Sequence, residues 1–222
     1  MSRNIIEIEN LNKSFDKNSQ ILKNLSLKIK EQECIILKGV SGSGKTTLLN
    51  LIAGLDKPDS GKILIENKPI IKMPDIHLSH FRNQIIGIIF QSFNLIEHLD
   101  VLQNVMVPLI ATKLSRKEQI SMAKKALEIA NIEHKSNLLS SKLSGGEKQR
   151  CAIARAIANN PKIILCDEPT ANLDKKNALL FIDTINKLNK LGKTILIATH
   201  DPIFDNLEFT TRVIQMKNGE IV

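Results

Sequence analysis

The chain has 222 residues and a net charge of +8, a length that suits one well-cored domain and is short for two independent folds. Hydrophobic residues make up 42% of the chain and aromatic residues only 3%, which favours an α/β interior over an aromatic-rich β-sandwich. The charge could attract nucleic acid, an anionic membrane or a phosphate-bearing ligand, but scattered lysines with acidic residues between them favour a solvated basic surface.

Two kinds of strand are predicted along the chain. Residues 5–9 form a first strand, and Leu25, Leu27 and Ile29 alternate with polar neighbours in a second, so the two predict an antiparallel start. From Cys34 onward the apolar runs CIILK, IIGIIF, IILC and TILIAT are continuous, which is typical of parallel strands covered on both faces. The core sheet is therefore predicted to be mostly parallel.

Helices are predicted between these strands. One runs from Lys45 to Ala53 and is followed by Gly54 at a suitable C-terminal position. Another is capped by Asp174 and continues through Leu188 to a stop at Gly192.

No strand-like run appears between Phe93 and Pro161. Ser115 and Glu118 form a capping box, which opens a helix with one apolar face. We therefore predict a helical subdomain over about residues 93–160, inserted in a single domain that spans residues 1–222. The chain is predicted to end in a hairpin that turns at Asn218-Gly219.

The cysteines Cys34, Cys151 and Cys166 lack the spacing of a metal or redox motif, so we expect reduced core residues in a cytoplasmic protein. No apolar run approaches the roughly 18 residues of a membrane span, and no signal peptide is evident. Any role at a membrane is therefore expected to depend on a partner.

A phosphate-binding loop of the Walker A pattern lies directly after a buried strand and before a helix. Its glycines let the loop curl so that backbone N–H groups point at phosphate oxygens, and the helix N-terminus adds partial positive charge. Lys45 is expected to reach the β- and γ-phosphates, and Thr46 to offer its hydroxyl to Mg²⁺. The residues expected to bind nucleotide here are Gly39, Val40, Ser41, Gly42, Ser43, Gly44, Lys45, Thr46 and Thr47.

Other buried strands also end in polar residues, namely Gln91, the pair Asp167 and Glu168, and His200. Each of them alone would be an ordinary strand terminus or exposed turn. Ligands of parallel sheets bind beyond the carboxyl ends of the strands, so the four together predict a catalytic site. Asp167, Gln91 and Thr46 are expected to hold Mg²⁺, and Glu168 to position or deprotonate water.

The segment from Leu143 to Arg150, LSGGEKQR, resembles the signature motif of ABC ATPases. Ser144 and Glu147 make a capping box, and the free N–H groups at the start of this helix form a second anion site. The residues expected to contact nucleotide are Ser144, Gly145, Gly146 and Glu147.

The order of the other motifs is similar to that family across nearly the whole chain. Phe15 matches the aromatic residue that stacks on adenine, and Gln91 matches the Q-loop glutamine. Asp174 ends a segment similar to the D-loop, and His200 matches the switch histidine. The resemblance implies a P-loop NTPase fold of the ABC type, with a mostly parallel core sheet, an antiparallel β-subdomain and an inserted helical subdomain.

The resemblance also implies a mechanism. Two copies pair head to tail, so that Mg-ATP held by Lys45 of one copy is covered by residues 144–147 of the other. Glu168 orients water, His200 braces the γ-phosphate, and hydrolysis reopens the pair. The implied partner is an integral membrane permease that docks near Gln91, at the cytoplasmic face of the inner membrane. No nucleic-acid partner is expected.

Residues 82–109 and the EPTANLD run resemble lipoprotein-releasing, macrolide-exporting, bacitracin-resistance and FtsE-type cell-division cassettes, whose partner typically has four spans and a large external domain. Ala171 departs from this group, which usually has glycine there. Two alternatives remain: an FtsE-like regulator that transports nothing, and a soluble ABC protein that acts on ribosomes or DNA. The substrate and the direction of transport are not encoded in a cassette.

Overall fold

Two β-sheets form the framework of the computed structural model, which describes residues 3–16 and 19–222. Residues 1, 2, 17 and 18, which belong to the predicted domain of residues 1–222, lie outside the described part. The four-stranded sheet contains β1 (Asn4–Asp16), β2 (Ser19–Lys30), β4 (Ser60–Ile65) and β5 (Lys68–Pro69). Its strands pair antiparallel in the order β2-β1-β4-β5, which confirms the predicted antiparallel start.

The six-stranded sheet holds the four continuous apolar runs. It contains β3 (Cys34–Lys38), β6 (Ile86–Ile89), β7 (Ile163–Asp167), β8 (Thr194–Thr199), β9 (Arg212–Lys217) and β10 (Glu220–Ile221), in the order β10-β9-β3-β8-β7-β6. All neighbours other than β10 and β9 pair in parallel. Strand β10 pairs antiparallel with β9 and so forms the predicted terminal hairpin. The mostly parallel core sheet is thereby confirmed.

The described residues form six α-helices, α1 (Lys45–Ile52), α2 (Asp75–Ile85), α3 (Val101–Met106), α4 (Arg116–Ile129), α5 (Gly145–Ile157) and α6 (Lys175–Lys190). Gly54 follows α1 with a φ of 63°, Ser115 and Glu118 form the capping box of α4, and Asp174 caps α6, all as predicted. Helices α3, α4 and α5, which lie between β6 and β7 in the sequence, pack on one another. The subdomain over residues 93–160 stays a prediction that this packing supports.

The parallel sheet separates two apolar clusters. Neighbouring residues of a strand point to opposite faces, and so Ile35 joins the cluster with the antiparallel sheet and α1, while Ile36 joins the cluster with α3 to α6. Among the described helices, none has the length and apolar character that a membrane span requires.

The cysteines are free and buried, as predicted. Burial raises the pKa of Cys34 and of Cys151 to about 12. Burial also raises the pKa of Cys166 well above its ordinary value. All three side chains are therefore uncharged thiols that act as small apolar residues.

Asn104 is a fully buried polar side chain that organises the loop after β6. Its Oδ1 atom accepts a hydrogen bond from the Ile96 N–H at 2.8 Å, and its Nδ2 atom donates to the carbonyls of Ile96 at 3.1 Å, Leu99 at 3.3 Å and Asp100 at 3.0 Å. A buried polar group is tolerated when its bonds are made. This side chain therefore ties residues 96–100 to α3.

We expect Asn104→Leu to lower the free energy of unfolding by about 2–4 kcal/mol, because several backbone groups would lose a buried partner. Urea unfolding followed by circular dichroism measures the change. As a control, Ser115→Ala removes one exposed capping interaction and should cost only about 1 kcal/mol. Equal losses in the two variants would contradict the role given to Asn104.

Candidate functional site

The loop between β3 and α1 closes around its own lysine. The Lys45 Nζ atom donates hydrogen bonds to the carbonyl oxygens of Gly39 at 2.8 Å and Val40 at 3.2 Å, so the side chain holds the loop curled. A Cβ atom at Gly39 would lie 2.6 Å from the Ser43 Oγ atom and would also clash with the Met216 carbonyl. Only glycine fits at the start of the loop.

The helix that follows is open to an anion. Gly44 precedes α1 with a φ of 101°, no side chain caps the helix, and its first turn has no acidic residue. Its first N–H groups and the positive end of its dipole therefore point toward the loop, and no carboxylate of the helix itself competes for them. The Ser43 Oγ atom is buried and has no hydrogen-bond partner among the described residues. A phosphate group fits this set of donors.

Two carboxylates from the end of β7 face the loop. The Thr46 hydroxyl donates to the Asp167 Oδ1 atom at 3.0 Å. Next in the chain, the Glu168 Oε1 atom lies 3.3 Å from Lys45 Nζ and 3.0 Å from His200 Nδ1. The backbone of Glu168 has a φ of 41°, a strained value for a residue with a side chain. Its N–H group holds this turn by donating to the Ala198 carbonyl at 2.8 Å.

The two carboxylates have opposite pKa shifts. Burial raises the pKa of Asp167, and the neighbouring Glu168 charge adds to this rise, against the opposing hydrogen bond from Thr46. Burial also acts to raise the pKa of Glu168, but the hydrogen bond from His200 and the charge of Lys45 outweigh it, so that pKa is lowered. Glu168 is thus held as a carboxylate. A divalent cation beside Asp167 would offset the cost of burying its charge.

A cleft of about 290 Å³ joins these groups. Phe15 lines it with 66% of its surface exposed, and the ammonium group of Lys13 is 5.4 Å from the centre of the Phe15 ring. Gln91, Glu168 and His200 line the same cleft, as do Ile21, Ser41, Gly42, Gly44, Lys45, Thr46 and Thr47. The sequence patterns missed Ile21, whose position on the second strand gave only an apolar signal.

Nine of the predicted site residues are not among the described residues that line this cleft. Four of them, Gly39, Val40, Ser43 and Asp167, belong to the phosphate loop or to the end of β7. The other five are Ser144, Gly145, Gly146, Glu147 and Asp174. The predicted capping box is present at the start of α5, where the Glu147 Oε2 atom accepts from the Ser144 N–H at 2.8 Å and the Glu147 N–H donates to Ser144 Oγ at 3.4 Å. These residues therefore form a separate surface, which presents the N-terminus of α5.

Known proteins are similar in sequence to this chain over most of its length. The family model described as ABC transporter matches residues 22–171. The ABC transporter ATP-binding protein MJ0796 of Methanocaldococcus jannaschii is 42% identical over 225 residues, which cover 98% of this chain and 95% of that protein. The macrolide export ATP-binding/permease protein MacB of Campylobacter fetus is 39% identical over 98% of this chain but only 34% of its own length.

A solved structure of one of these relatives has the same fold as this chain. The dimeric structure of MJ0796 in a post-hydrolysis state, bound to ADP and Pi, matches with a TM-score of 0.89 and 41% identity, over 97% of this chain and 96% of that chain. The matched residues 22–171 include the phosphate loop, both carboxylates and the signature segment. The chain therefore belongs to the ABC transporter family, as an ATP-binding cassette with ATPase activity.

Proposed function

We propose that two copies of this chain close around two Mg-ATP molecules and, by hydrolysing them, drive a separate membrane permease. The observation that supports this proposal most directly is the division of the site. Residues of the phosphate loop, Glu168 and His200 line one cleft, and Asp167 is hydrogen-bonded to Thr46 in its lining, while the signature segment lies outside it. A second copy can supply that missing segment.

Within one copy, Lys45 binds the β- and γ-phosphates from inside the loop, and N–H groups of the loop and α1 bind the remaining oxygens. Thr46, Asp167 and Gln91 would hold Mg²⁺, because hydroxyl, carboxylate and amide oxygens are the ligands that this ion prefers. When bound, Mg²⁺ neutralises phosphate charge. Phe15 offers its exposed ring to the adenine base.

Glu168 and His200 act on the water and the γ-phosphate. The lowered pKa of Glu168 keeps it ionised, so its carboxylate orients the attacking water and accepts a proton from it. The hydrogen bond between Glu168 Oε1 and His200 Nδ1 orients the imidazole ring, and in the doubly protonated ring the Nε2–H group can donate to a phosphoryl oxygen. The developing negative charge is thereby stabilised by groups that are already in place.

The second copy contributes Ser144, Gly145, Gly146 and Glu147. The capping box orders the first turn of α5, so its N–H groups present partial positive charge to the γ-phosphate of the neighbour. Asp174 belongs to the same face. Support for this pairing comes from MJ0796, whose solved structure is a dimer bound to ADP and Pi.

The permease is proposed to resemble that of macrolide-export and lipoprotein-release systems, with four spans and a large external domain. The support is the similarity to MacB, which is named as an ATP-binding/permease protein. This chain aligns with 34% of the length of MacB. The cassette would then lie at the cytoplasmic face of the inner membrane and bind no nucleic acid. Strong, salt-sensitive binding to RNA or DNA without a membrane partner would contradict this part of the proposal.

Lys45→Ala should weaken ATP binding by roughly 30-fold or more, because it removes the charge that faces the phosphates. Isothermal titration calorimetry with Mg-ATP measures the affinity. Lys57→Ala is the matched control, since Lys57 forms an exposed ion pair with Asp75 at 3.3 Å. This variant should bind ATP as the unmodified chain does. Unchanged affinity in Lys45→Ala would contradict the assigned phosphate loop.

Glu168→Gln should retain ATP binding, lower the hydrolysis rate by about 100-fold or more and accumulate a dimer in Mg-ATP. Gel filtration and a phosphate-release assay measure the two effects. Adding Ser144→Arg to this variant should restore the monomer, since a bulky residue would fill the space of the neighbour's phosphate. A Glu168→Gln protein that stays monomeric at saturating Mg-ATP would refute the shared site.

A further inference from the structure

Asn177 joins the first turns of α5 and α6 within one copy. Its backbone N–H donates to the Asp174 Oδ1 atom at 2.8 Å, and its Nδ2 atom donates to the Asp174 Oδ2 atom at 2.9 Å. From α5, the Arg150 Nη1 atom donates to the Asn177 Oδ1 atom at 3.0 Å. The half-buried carboxamide therefore bridges a residue of the signature helix and the cap of the next helix.

The same carboxamide sets how closely the signature segment approaches α6. A Cβ atom at Gly146 would lie 2.7 Å from the Asn177 Nδ2 atom and even closer to its other side-chain atoms. The buried backbone of Gly146 thus packs directly on Asn177. Any movement of this part of α5 relative to α6 would break a hydrogen bond or leave a gap.

A second link ties α5 to the residues after Glu168. The Gln149 Nε2 atom, in a side chain that is 2% exposed, donates to the Pro169 carbonyl at 2.8 Å. Adjacent residues of α5, Gln149 and Arg150, therefore hold both ends of the segment 169–177. The start of α5 and this segment form one packed unit.

We infer that Asn177 is a positioning residue, which holds the signature segment 144–147 and Asp174 as one rigid surface for the second copy. This inference rests on the proposed head-to-tail function. Asn177 is not among the residues that line the cleft, and its side chain bonds to Asp174 and Arg150, so it acts on the neighbour's nucleotide through the surface that it holds. A preformed surface lowers the entropic cost of closing the dimer.

The chemistry of the position favours asparagine. A carboxamide donates to the Asp174 carboxylate and accepts from the Arg150 guanidinium at the same time. Aspartate at position 177 would accept from Arg150 but repel Asp174, and an aliphatic residue would satisfy neither partner.

The test uses the Glu168→Gln protein as parent and compares it with the same protein carrying Asn177→Ala. We expect Asn177→Ala to require about tenfold more Mg-ATP for half-maximal dimerisation, within the range of coupling between packed elements. Light scattering during an ATP titration measures this concentration. Binding of Mg-ADP to the monomer, measured by calorimetry, should not change, because the phosphate loop lies outside the linked unit.

Asn186→Ala is the matched control. It makes the same substitution on the same helix, at a side chain whose buried Oδ1 atom has no hydrogen-bond partner among the described residues. The protein with Asn186→Ala should dimerise at the same ATP concentration as the parent. Should Asn177→Ala fail to fold, Asn177→Asp keeps the size of the side chain and is expected to show the same defect, because its charge repels Asp174.

Each outcome has a separate meaning. If the parent dimerises and the Asn177 variant does so at the same ATP concentration, the inference is overturned and the proposed function stands. If Asn177→Ala weakens Mg-ADP binding as much as dimerisation, Asn177 has a general structural role and the inference is also overturned. If the parent stays monomeric, both the proposed function and the inference are refuted.

Discussion

The parallel register of three strands determines the chemistry of this protein. Lys38 at the end of β3 pairs with Thr199 at the end of β8, and Asp167 at the end of β7 pairs with Ala198. The phosphate loop, His200 and Glu168 each follow directly, so backbone hydrogen bonds of the sheet bring them to one edge. A slip of one residue in either pairing would turn these side chains away from one another.

Charges at this edge are stabilised by one another rather than by water. Lys45 is 5% exposed, and burial of an ammonium or a carboxylate is costly unless an opposite charge or a hydrogen bond compensates. Glu168 provides that charge at 3.3 Å, and the Gly39 and Val40 carbonyls accept the remaining hydrogen bonds. A phosphate ligand would take the place of one or more of these partners, since an ammonium group has only three N–H donors.

Local patterns predicted four of the parallel strands, the caps of α4, α5 and α6, and the position of the phosphate loop between β3 and α1, because loops and caps depend on neighbours in the chain. They did not predict Ile21 of the cleft, and Phe15 was expected only from the resemblance to a known family. They missed β4, β5, α2 and α3. Strand β5 has two residues, and α2 buries only Leu78 and Phe81 and has no side-chain cap, so neither produces a clear periodicity. The pairing of β9 with β3 and the Asn177 contacts join residues far apart in sequence, and no local pattern reports such contacts.

The buried cysteines make the unmodified chain a suitable background for site-specific spectroscopy. A thiol whose pKa lies near 12, as for Cys34 and Cys151, contains almost no thiolate at neutral pH, and thiolate is the form that alkylating reagents attack. Cys166 is equally enclosed. Maleimide-linked dyes or spin labels would therefore react at cysteines introduced on the surface, and inter-subunit distances could be followed without first replacing the native ones.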